Sequence, residues 1–418
     1  MSRTLRRRIV ITGIGVIAPN GLTLDTFWDS LCKGTATAGP VTRFDASAMH
    51  SKLACEITGF DATLFIEPAK AKRYDLSILY AIAAAKSAVA DAGLDLSRED
   101  MDRFGVVEGT TVSGLGNTLR EHTKFIEKGY KSIQPTRLVN ASCGGGASEI
   151  SIELGARCQA TTITTACSAG NDALGYAART IRDDLADIMI AGACEAPIVD
   201  GYYAIFSAAG VMSRNNENPK KAMRPFDKDR DGLVLGEGAG FLILEELSHA
   251  LARGARIYCE WMGHGQSADA HHLVSIHPEG KGLRRAMERA FLDAEIPTDT
   301  VDYINAHGSA TEQNDVIESK VIREVFGSHA HRLSISGTKA VTGHLMGAAA
   351  GLESAICALA IHRQAIPPTG GLVNPGKGCD LDYVPGDARP YPVRVAGSSN
   401  AGFGGKNSFI LLRRFDGA

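Results

Sequence analysis

Much is missing from this 418-residue chain, and each absence closes a class of function. No apolar run reaches the roughly twenty residues needed to cross a bilayer, so no membrane span is expected. No charge of either sign predominates: 44 basic against 47 acidic side chains leave a net −3, which argues against a general binder of nucleic acid or another polyanion. The cysteines (32, 55, 143, 158, 167, 194, 259, 357 and 379) show no C-x-x-C spacing, and nine is an awkward number for a disulfide framework. A reducing cytoplasm fits that usage best. The opening MSRTLRRRIVITGIGVIAPNG sets basic residues before a short apolar run, but Gly13, Gly15 and Pro19 interrupt the run and no convincing cleavage site follows.

What is present is an ordinary globular composition, 44% hydrophobic and 22% charged, long enough for two core-bearing units or one large one. Short β-branched runs alternate with Ala-rich stretches of helical period, the pattern of α/β layers around buried sheets. Strands are predicted at 8–12, 105–108, 161–164, 187–191 and 240–245, and again at 255–262, 303–305, 333–336, 395–398 and 409–413. Helices are predicted at 76–92, 171–184, 281–294, 312–326 and 344–361. The segment AKSAVADAGLDLSREDMDRFGVVEG (85–109) reads as helix, polar turn, strand, and LRRAMERAFLDAEIPTDTVDYINAHG (283–308) repeats it about 200 residues later. CSAGNDALGYAARTIRDDLAD (167–187) and HLMGAAAGLESAICALAIHRQ (344–364) are likewise small-residue starts leading into apolar helices. Two similar halves are therefore expected, with a seam near Leu247–Ile257. A period this long points to duplication rather than a solenoid, although chance likeness between two α/β segments would look similar.

Chemistry concentrates at the junctions. Cys167, in TITTACSAGNDALGYAA, follows a β-type run and opens a helix. Free N–H groups and positive partial charge at a helix N-terminus stabilise a thiolate by up to about 2 kcal/mol, enough to lower a thiol near 8.5 by roughly one and a half units. A cysteine there is equally at home as a small core residue. His307, in DYINAHGSATEQNDVIES, stands just past a strand, while Lys339 and His344, in SISGTKAVTGHLMGAAAGLES, share a later strand-to-helix loop. Strand ends in α/β proteins commonly carry chemistry, and packing alone explains this set poorly. Near the C-terminus, AGSSNAGFGGKNSFILLRR sets Gly402, Gly404 and Gly405 around Phe403. Such a loop brings backbone N–H groups close to a reacting oxygen, or is a plain hairpin.

Three other patterns are set aside. VITGIGVIAP imitates a dinucleotide fingerprint, but Pro19 and Asn20 fall where the phosphate-binding helix should continue. DKDRDG (227–232) imitates a calcium loop, yet its twelfth position is Gly238, with the glutamate one place early at Glu237; a structural turn is expected. The histidines at 264, 271, 272 and 277 have no metal framework around them; loop positions are expected, one of which could touch substrate.

TTACSAG, NAHGSAT-x-x-ND, GTKAVTGHLMGAAAGLE and GFGG, in that order and spacing, resemble the β-ketoacyl-acyl-carrier-protein synthases of the elongating type. PFDKDRDGLVLGEGAG (225–240) and the opening RRIVITGIGVIAPNG resemble their counterparts, so the likeness runs from about residue 7 to 414. It implies the thiolase fold, a five-layered α-β-α-β-α sandwich of two duplicated halves: 1–252 with the nucleophilic cysteine, 253–418 with the His/Lys/His set. It implies that Cys167 carries the acyl chain and that His307 and His344 stabilise the enolate formed as malonate loses carbon dioxide. Lys339 orders the histidines, with Glu353, Asp315 and Glu318 in support. Backbone N–H groups of Cys167 and Phe403 would form the oxyanion hole, Phe403 doubling as an aromatic gate beside Ala401, Gly402 and Gly404. Ser309 and Thr311 would contact a phosphopantetheine arm, and Val112 the acyl pocket. No resident cofactor or metal is implied; the substrates ride on the phosphopantetheine of acyl carrier protein.

Departures refine this expectation. Fatty-acid enzymes usually read HGT, SFGFGG and GGTN, whereas this chain has His307-Gly308-Ser309, Asn400-Ala401-Gly402-Phe403 and Gly405-Lys406-Asn407. These substitutions look more like ketosynthase alpha subunits of type II polyketide or polyene systems, which pair with an inactive chain-length-factor homologue. A fatty-acid synthase II homodimer is the alternative. A degradative thiolase would need a second cysteine in a C-terminal glycine motif. A chain-length factor would lack Cys167, and an initiating synthase would carry one Asn in place of a histidine. Lys70, Lys72 and Arg73 form a basic cluster that could steer an acidic carrier protein, or simply a solvated helix face.

Overall fold

The computed structural model describes residues 6–417. Its first half holds five principal strands: β1 (Ile9–Ile17), β2 (Phe104–Gly109), β3 (Ala160–Ile163), β4 (Ile188–Glu195) and β5 (Gly238–Glu246). The second holds β6 (Cys259–Ala268), β7 (Tyr303–Asn305), β8 (Ser334–Ser336), β9 (Val395–Gly402) and β10 (Lys406–Arg413). Their spatial order is β8-β7-β9-β10-β6-β1-β5-β4-β2-β3. From each outer edge inward, the strands of a half run third, second, fourth, fifth, first. In each half the third, second and fourth strands are mutually parallel, and the fifth and first join them antiparallel. The halves meet where Ile9–Ile11 pair antiparallel with Cys259–Trp261. The duplication read from the sequence is therefore repeated strand for strand.

Helices obey the same repeat. In the first half α1 (Leu76–Asp91) precedes the second strand, α2 (Gly145–Leu154) the third, and α3 (Ala169–Arg182) the fourth; α4 (Lys281–Ala294), α5 (Glu312–Phe326) and α6 (Gly347–Arg363) do so in the second. α1 and α2 cover one outer face, α4 and α5 the other, and α3 and α6 lie between the sheets touching both. This is the α-β-α-β-α stack implied by the resemblance. Composition explains who goes inside: α6 is buried on every side from Gly347 to Ile361, as a uniformly apolar, Ala-rich helix must be. α4 and α3 carry one polar face each. Separate hydrophobic clusters fill the two outer interfaces and the middle layer.

The two central helices touch where they begin. A Cβ on Gly170 would meet Gly351 N at 2.3 Å, so only glycine permits the approach that brings both helix starts to one place. Gly13 and Gly15 serve strand–helix packing: a Cβ there would meet the α1 carbonyls of Ala88 and Ala84 at 2.3 and 1.9 Å. That accounts for the fingerprint-like GIG, and the next helix starts only at Leu24. Helices Leu24–Cys32, Leu115–Lys128, Gly145–Leu154 and Asp200–Ala208 were not anticipated. Two of them start in glycine-rich sequence, where local propensity gives no helix signal. Among the described residues no helix is long and apolar enough to cross a membrane.

Candidate active site

β3 ends at Ile163, and four residues later Cys167 stands at the head of α3 through a single turn, Ala166–Ser168. The turn is sharp because Ala166 sits at φ 53°, a left-handed conformation that L-residues avoid. β7 ends at Asn305, which puts His307 two residues beyond a strand. His344 precedes α6, with Met346 at φ 50° between them. Ala310, between Ser309 and Thr311, is a third positive-φ residue at 61°. Strained backbone thus gathers where the three chemical side chains are presented.

These junctions enclose a cavity of about 460 Å³ lined by Cys167, His307, His344, Ser309, Thr311, Ala401, Gly402 and Phe403. Phe206, Asp231, Met346 and Asn407 share its wall. The His307 and His344 rings lie 5.4 Å apart, centroid to centroid, nearly perpendicular. The backbone N–H of Met346 donates to His344 Nδ1 at 3.0 Å. Lys339 Nζ stands 3.5 Å from His307 Nδ1 and donates to the His307 carbonyl at 2.6 Å. With both Nδ1 atoms occupied as acceptors, Nε2 is left on each ring as the N–H donor. Burial, reinforced by the Lys339 charge, holds both imidazoles well below the usual histidine range, so they are neutral near pH 7.

A buried ionic frame fixes the pair. Lys339 is paired with the Glu353 carboxylate, whose other oxygen accepts from Asn400 at 2.6 Å. Burial pushes Glu353 up to about 7, with Lys339 opposing. Glu318 accepts from the backbone N–H groups of His307 (2.8 Å) and Gly308 (2.9 Å) and from Ser399 Oγ (2.8 Å). Asp315 accepts from Phe226 N at 2.7 Å beside Arg230 at 3.7 Å, and burial pushes it up to about 6.

Cys167 differs from expectation. Instead of a lowered thiol, burial pushes it up to about 12; the Lys339 charge and the Phe403 N–H work against that without reversing it. Loss of water around the sulfur outweighs the helix start. The C-terminal loop is both things it could be. Strands β9 and β10 form a hairpin through 403–405, and that hairpin carries the Phe403 N–H to the Cys167 sulfur.

Other expected positions fall elsewhere. Val112 does not line this cavity; its N–H donates to Glu195 at 2.9 Å. Gly404 is also outside the lining, its N–H bonded to the Leu273 carbonyl at 2.7 Å. Lys72 and Arg73 are exposed, but Lys70 is paired with Glu153 at 2.7 Å. His264 is not a loop residue: it lies on β6 and is buried, unlike the exposed His271 and His272. The DKDRDG segment is structural, Asp227 accepting from Val373 and Asn374 N–H at 2.9 Å each. Among the described residues no His/Cys/Asp/Glu group could hold a metal ion.

Sequence reasoning missed Glu195, the residue that closes β4. It is fully buried, has no cationic partner among the described residues, and accepts from Thr111 N (2.7 Å), Val112 N (2.9 Å), Thr110 Oγ1 (3.1 Å) and Gly347 N (3.1 Å). It ties the end of β2 to the first residue of α6, three residues past His344. A glutamate ending the apolar run IMIAGACE was the available signal.

The family model described as "Beta-ketoacyl synthase, N-terminal domain" matches residues 6–250, and "Beta-ketoacyl synthase, C-terminal domain" matches 258–372. The chain is 41% identical to a 3-oxoacyl-[acyl-carrier-protein] synthase 2 of Synechocystis sp. over 415 residues, 99% of this chain and 100% of that protein. A chain from a solved type II PKS acyl-carrier protein in complex with its ketosynthase bound to the hexaketide superimposes with a TM-score of 0.91 at 34% identity, covering 98% of this chain and 100% of that one. A chain of the ishigamide ketosynthase/chain length factor does so with a TM-score of 0.90, also at 34% identity and with the same coverage.

Proposed function

Because the chain belongs to the β-ketoacyl synthase family, we propose that Cys167 accepts an acyl chain from acyl carrier protein and that His307 and His344 then promote decarboxylative Claisen condensation with malonyl-carrier protein. The observation that carries this reading is one cavity in which a thiol from the first half faces two neutral imidazoles from the second. We take 1–252 and 253–418 as the two units that supply them.

In the loading step the Cys167 sulfur forms a bond to the thioester carbonyl carbon, the phosphopantetheine sulfur leaves, and the thiol proton follows it. The Cys167 and Phe403 N–H groups stabilise the tetrahedral oxyanion between these events. In the second step the malonyl carboxylate leaves as carbon dioxide, and its electron pair becomes an enolate held by the two Nε2–H donors. That carbanion attacks the Cys167 thioester and returns the thiol, which takes up a proton. Decarboxylation supplies the carbanion without a strong base, so donors rather than acceptors are what the site must provide. The same argument leaves no step for a resident cofactor or metal. Ser309 and Thr311, whose hydroxyls lie 3.0 Å apart on the cavity wall, would meet the phosphopantetheine arm. Lys72 and Arg73 would meet the carrier protein, in a cytoplasmic setting.

We read the chain as the ketosynthase alpha subunit of a type II polyketide or polyene system paired with a chain-length-factor homologue, on the Ser309, Ala401 and Lys406 departures and the two ketosynthase likenesses. The 41% identity to a 3-oxoacyl-[acyl-carrier-protein] synthase 2 favours a second reading, a fatty-acid-elongating homodimer. The test is intact-protein mass spectrometry with acyl- and malonyl-carrier protein, with and without a co-expressed homologue lacking the cysteine. Cys167→Ala should give neither acyl adduct nor lengthened product; lengthening by that variant would refute the assignment. Full activity as a lone homodimer would move it to the fatty-acid reading.

A further inference from the structure

The left-handed turn at Ala166 aims Cys167, and something must hold it there. Thr165, the residue before it, donates its hydroxyl to Asp172 Oδ2 at 2.6 Å. Asp172 lies one turn into α3 and is itself buried. Its other oxygen, Oδ1, lies 3.0 Å from His264 Nε2. His264 comes from β6, in the opposite half of the molecule. The guanidinium of Arg179 lies 3.3 Å from its Nδ1, and Ser408 Oγ on β10 lies 3.0 Å from its Nε2. With Nδ1 accepting from Arg179, Nε2 carries the proton and donates to the carboxylate. The backbone N–H of His264 is anchored too, at 3.0 Å from Asp293 Oδ2.

The helix is shaped for this ring. A Cβ on Gly175, three residues after Asp172, would meet His264 Nδ1 at 2.2 Å and Cγ at 2.5 Å. Only a residue without a side chain lets the imidazole lie on the α3 backbone and reach Asp172. None of Thr165, Asp172 or His264 lines the cavity, so none touches substrate.

We infer that Asp172 and His264 are positioning residues for the nucleophile: through the Thr165 hydroxyl, a histidine of the second half locks the Ala166–Cys167 turn in the first. This rests on Cys167 being the acylated residue, and it deepens that reading. A carboxylate with no partner would be costly at this depth, and the imidazole both satisfies it and fixes its orientation. Slight misplacement of an attacking atom costs rate far out of proportion to stability.

The experiment separates the two half-reactions. Thr165→Val keeps the shape and removes only the hydroxyl; Thr165→Ser restores it; Asp172→Asn and His264→Gln alter the next two links. Loading of Cys167 from acyl-carrier protein is followed by intact-protein mass spectrometry. Each variant is then allowed to load to completion, and transfer to malonyl-carrier protein is measured in a single turnover. Thr165→Val and Asp172→Asn should load about tenfold more slowly or worse, with Thr165→Ser near the parent and the second step within about twofold for all. Parent-like loading by Thr165→Val, or equal loss in both steps, overturns the inference. Thr165→Val decides the matter alone if a charge-altering variant proves insoluble. Failure of the unsubstituted protein to acquire any acyl group on Cys167 would instead refute the function itself.

Discussion

Replacing Lys339 with methionine keeps the length and removes the charge. In the native protein the ammonium is fully buried and spends its donors on Glu353 and on His307, through the 2.6 Å bond to the carbonyl and the 3.5 Å approach to Nδ1. The variant strands Glu353 with Asn400 as its remaining hydrogen-bond partner. Removing one member of a buried ion pair costs about 3–5 kcal/mol, a large part of the 5–15 kcal/mol that holds an ordinary domain together. Glu353 is pushed up to about 7 even with its partner present, so without it the carboxyl takes up a proton. Adding Glu353→Gln removes the buried acid that must otherwise take up a proton or stay unpaired, and should recover most of the lost stability, because the penalty lies in the unpartnered member. Activity should not recover. The cation that disfavours imidazolium has gone, so His307 and His344 protonate at higher pH and the acid limb of kcat/KM moves upward. Urea unfolding of the single and double variants, with condensation rates across the pH range, measures both. A double variant no more stable than Lys339→Met would refute the stranded-charge argument; an unmoved acid limb would refute the electrostatic role of Lys339.

Burial pushes Glu108, Glu195 and Glu353 each up to about 7, so the native state holds protons that the unfolded chain releases near 4.5, and stability must fall as pH rises through 7. His307 and His344 act oppositely but only below about 6.5, which leaves the carboxyls in control from there to about pH 8; three groups then lose about 2 kcal/mol together. Urea midpoints should decline across that interval and decline less in Glu195→Gln; a flat or rising series contradicts the assignment. Ala166→Gly removes the left-handed penalty at φ 53° but adds the entropy of glycine, so unfolding free energy should stay within about 1 kcal/mol of the parent. Loading of Cys167 should nevertheless slow several-fold, because glycine widens the range of conformations open to the turn that presents the thiol; parent-like loading would show that the strain has no function.

The sequence made junctions legible and depth illegible. Cys167, His307 and His344 could be found because each follows a recognisable β-type run and precedes a helix, and glycines mark the turns. The Lys339–Glu353 pair was reachable through the resemblance alone, since fourteen positions within the chain say nothing of burial. The thiol was misjudged for the same reason: a helix N-terminus can be read from CSAGNDALGYAA, but the loss of water that pushes Cys167 up to about 12 depends on Phe403 and Met346 arriving from the other half. His264 was taken for a loop residue because its neighbours His271, His272 and His277 are; only strand pairing with β10 places it in the core. Val112 was assigned by position, and its backbone bond to Glu195 could not be foreseen from spacing.

The repeated halves also explain why there is one site and not two. In each half, chemistry can be displayed at two places: the end of the second strand and the start of the helix after the third. The alignment that sets Gly109 on Gly308 puts Glu108 opposite His307, and the central helices put Cys167 opposite His344. Glu108 is buried with its carboxylate on the Ala147 N–H (2.7 Å) and the Cys194 thiol (2.8 Å), and it does not reach the cavity. Three of the four display points therefore converge, helped by the Gly170–Gly351 contact that seats the two helix starts together, while the fourth has become a structural tie. A thiol and two N–H donors are the complement that two-step condensation requires; an ionised carboxylate beside the forming enolate would repel it. On the roles proposed for Cys167, His307 and His344, the asymmetry at Glu108 and His307 is where the duplicated scaffold becomes a single condensing site, each half supplying groups that the other lacks.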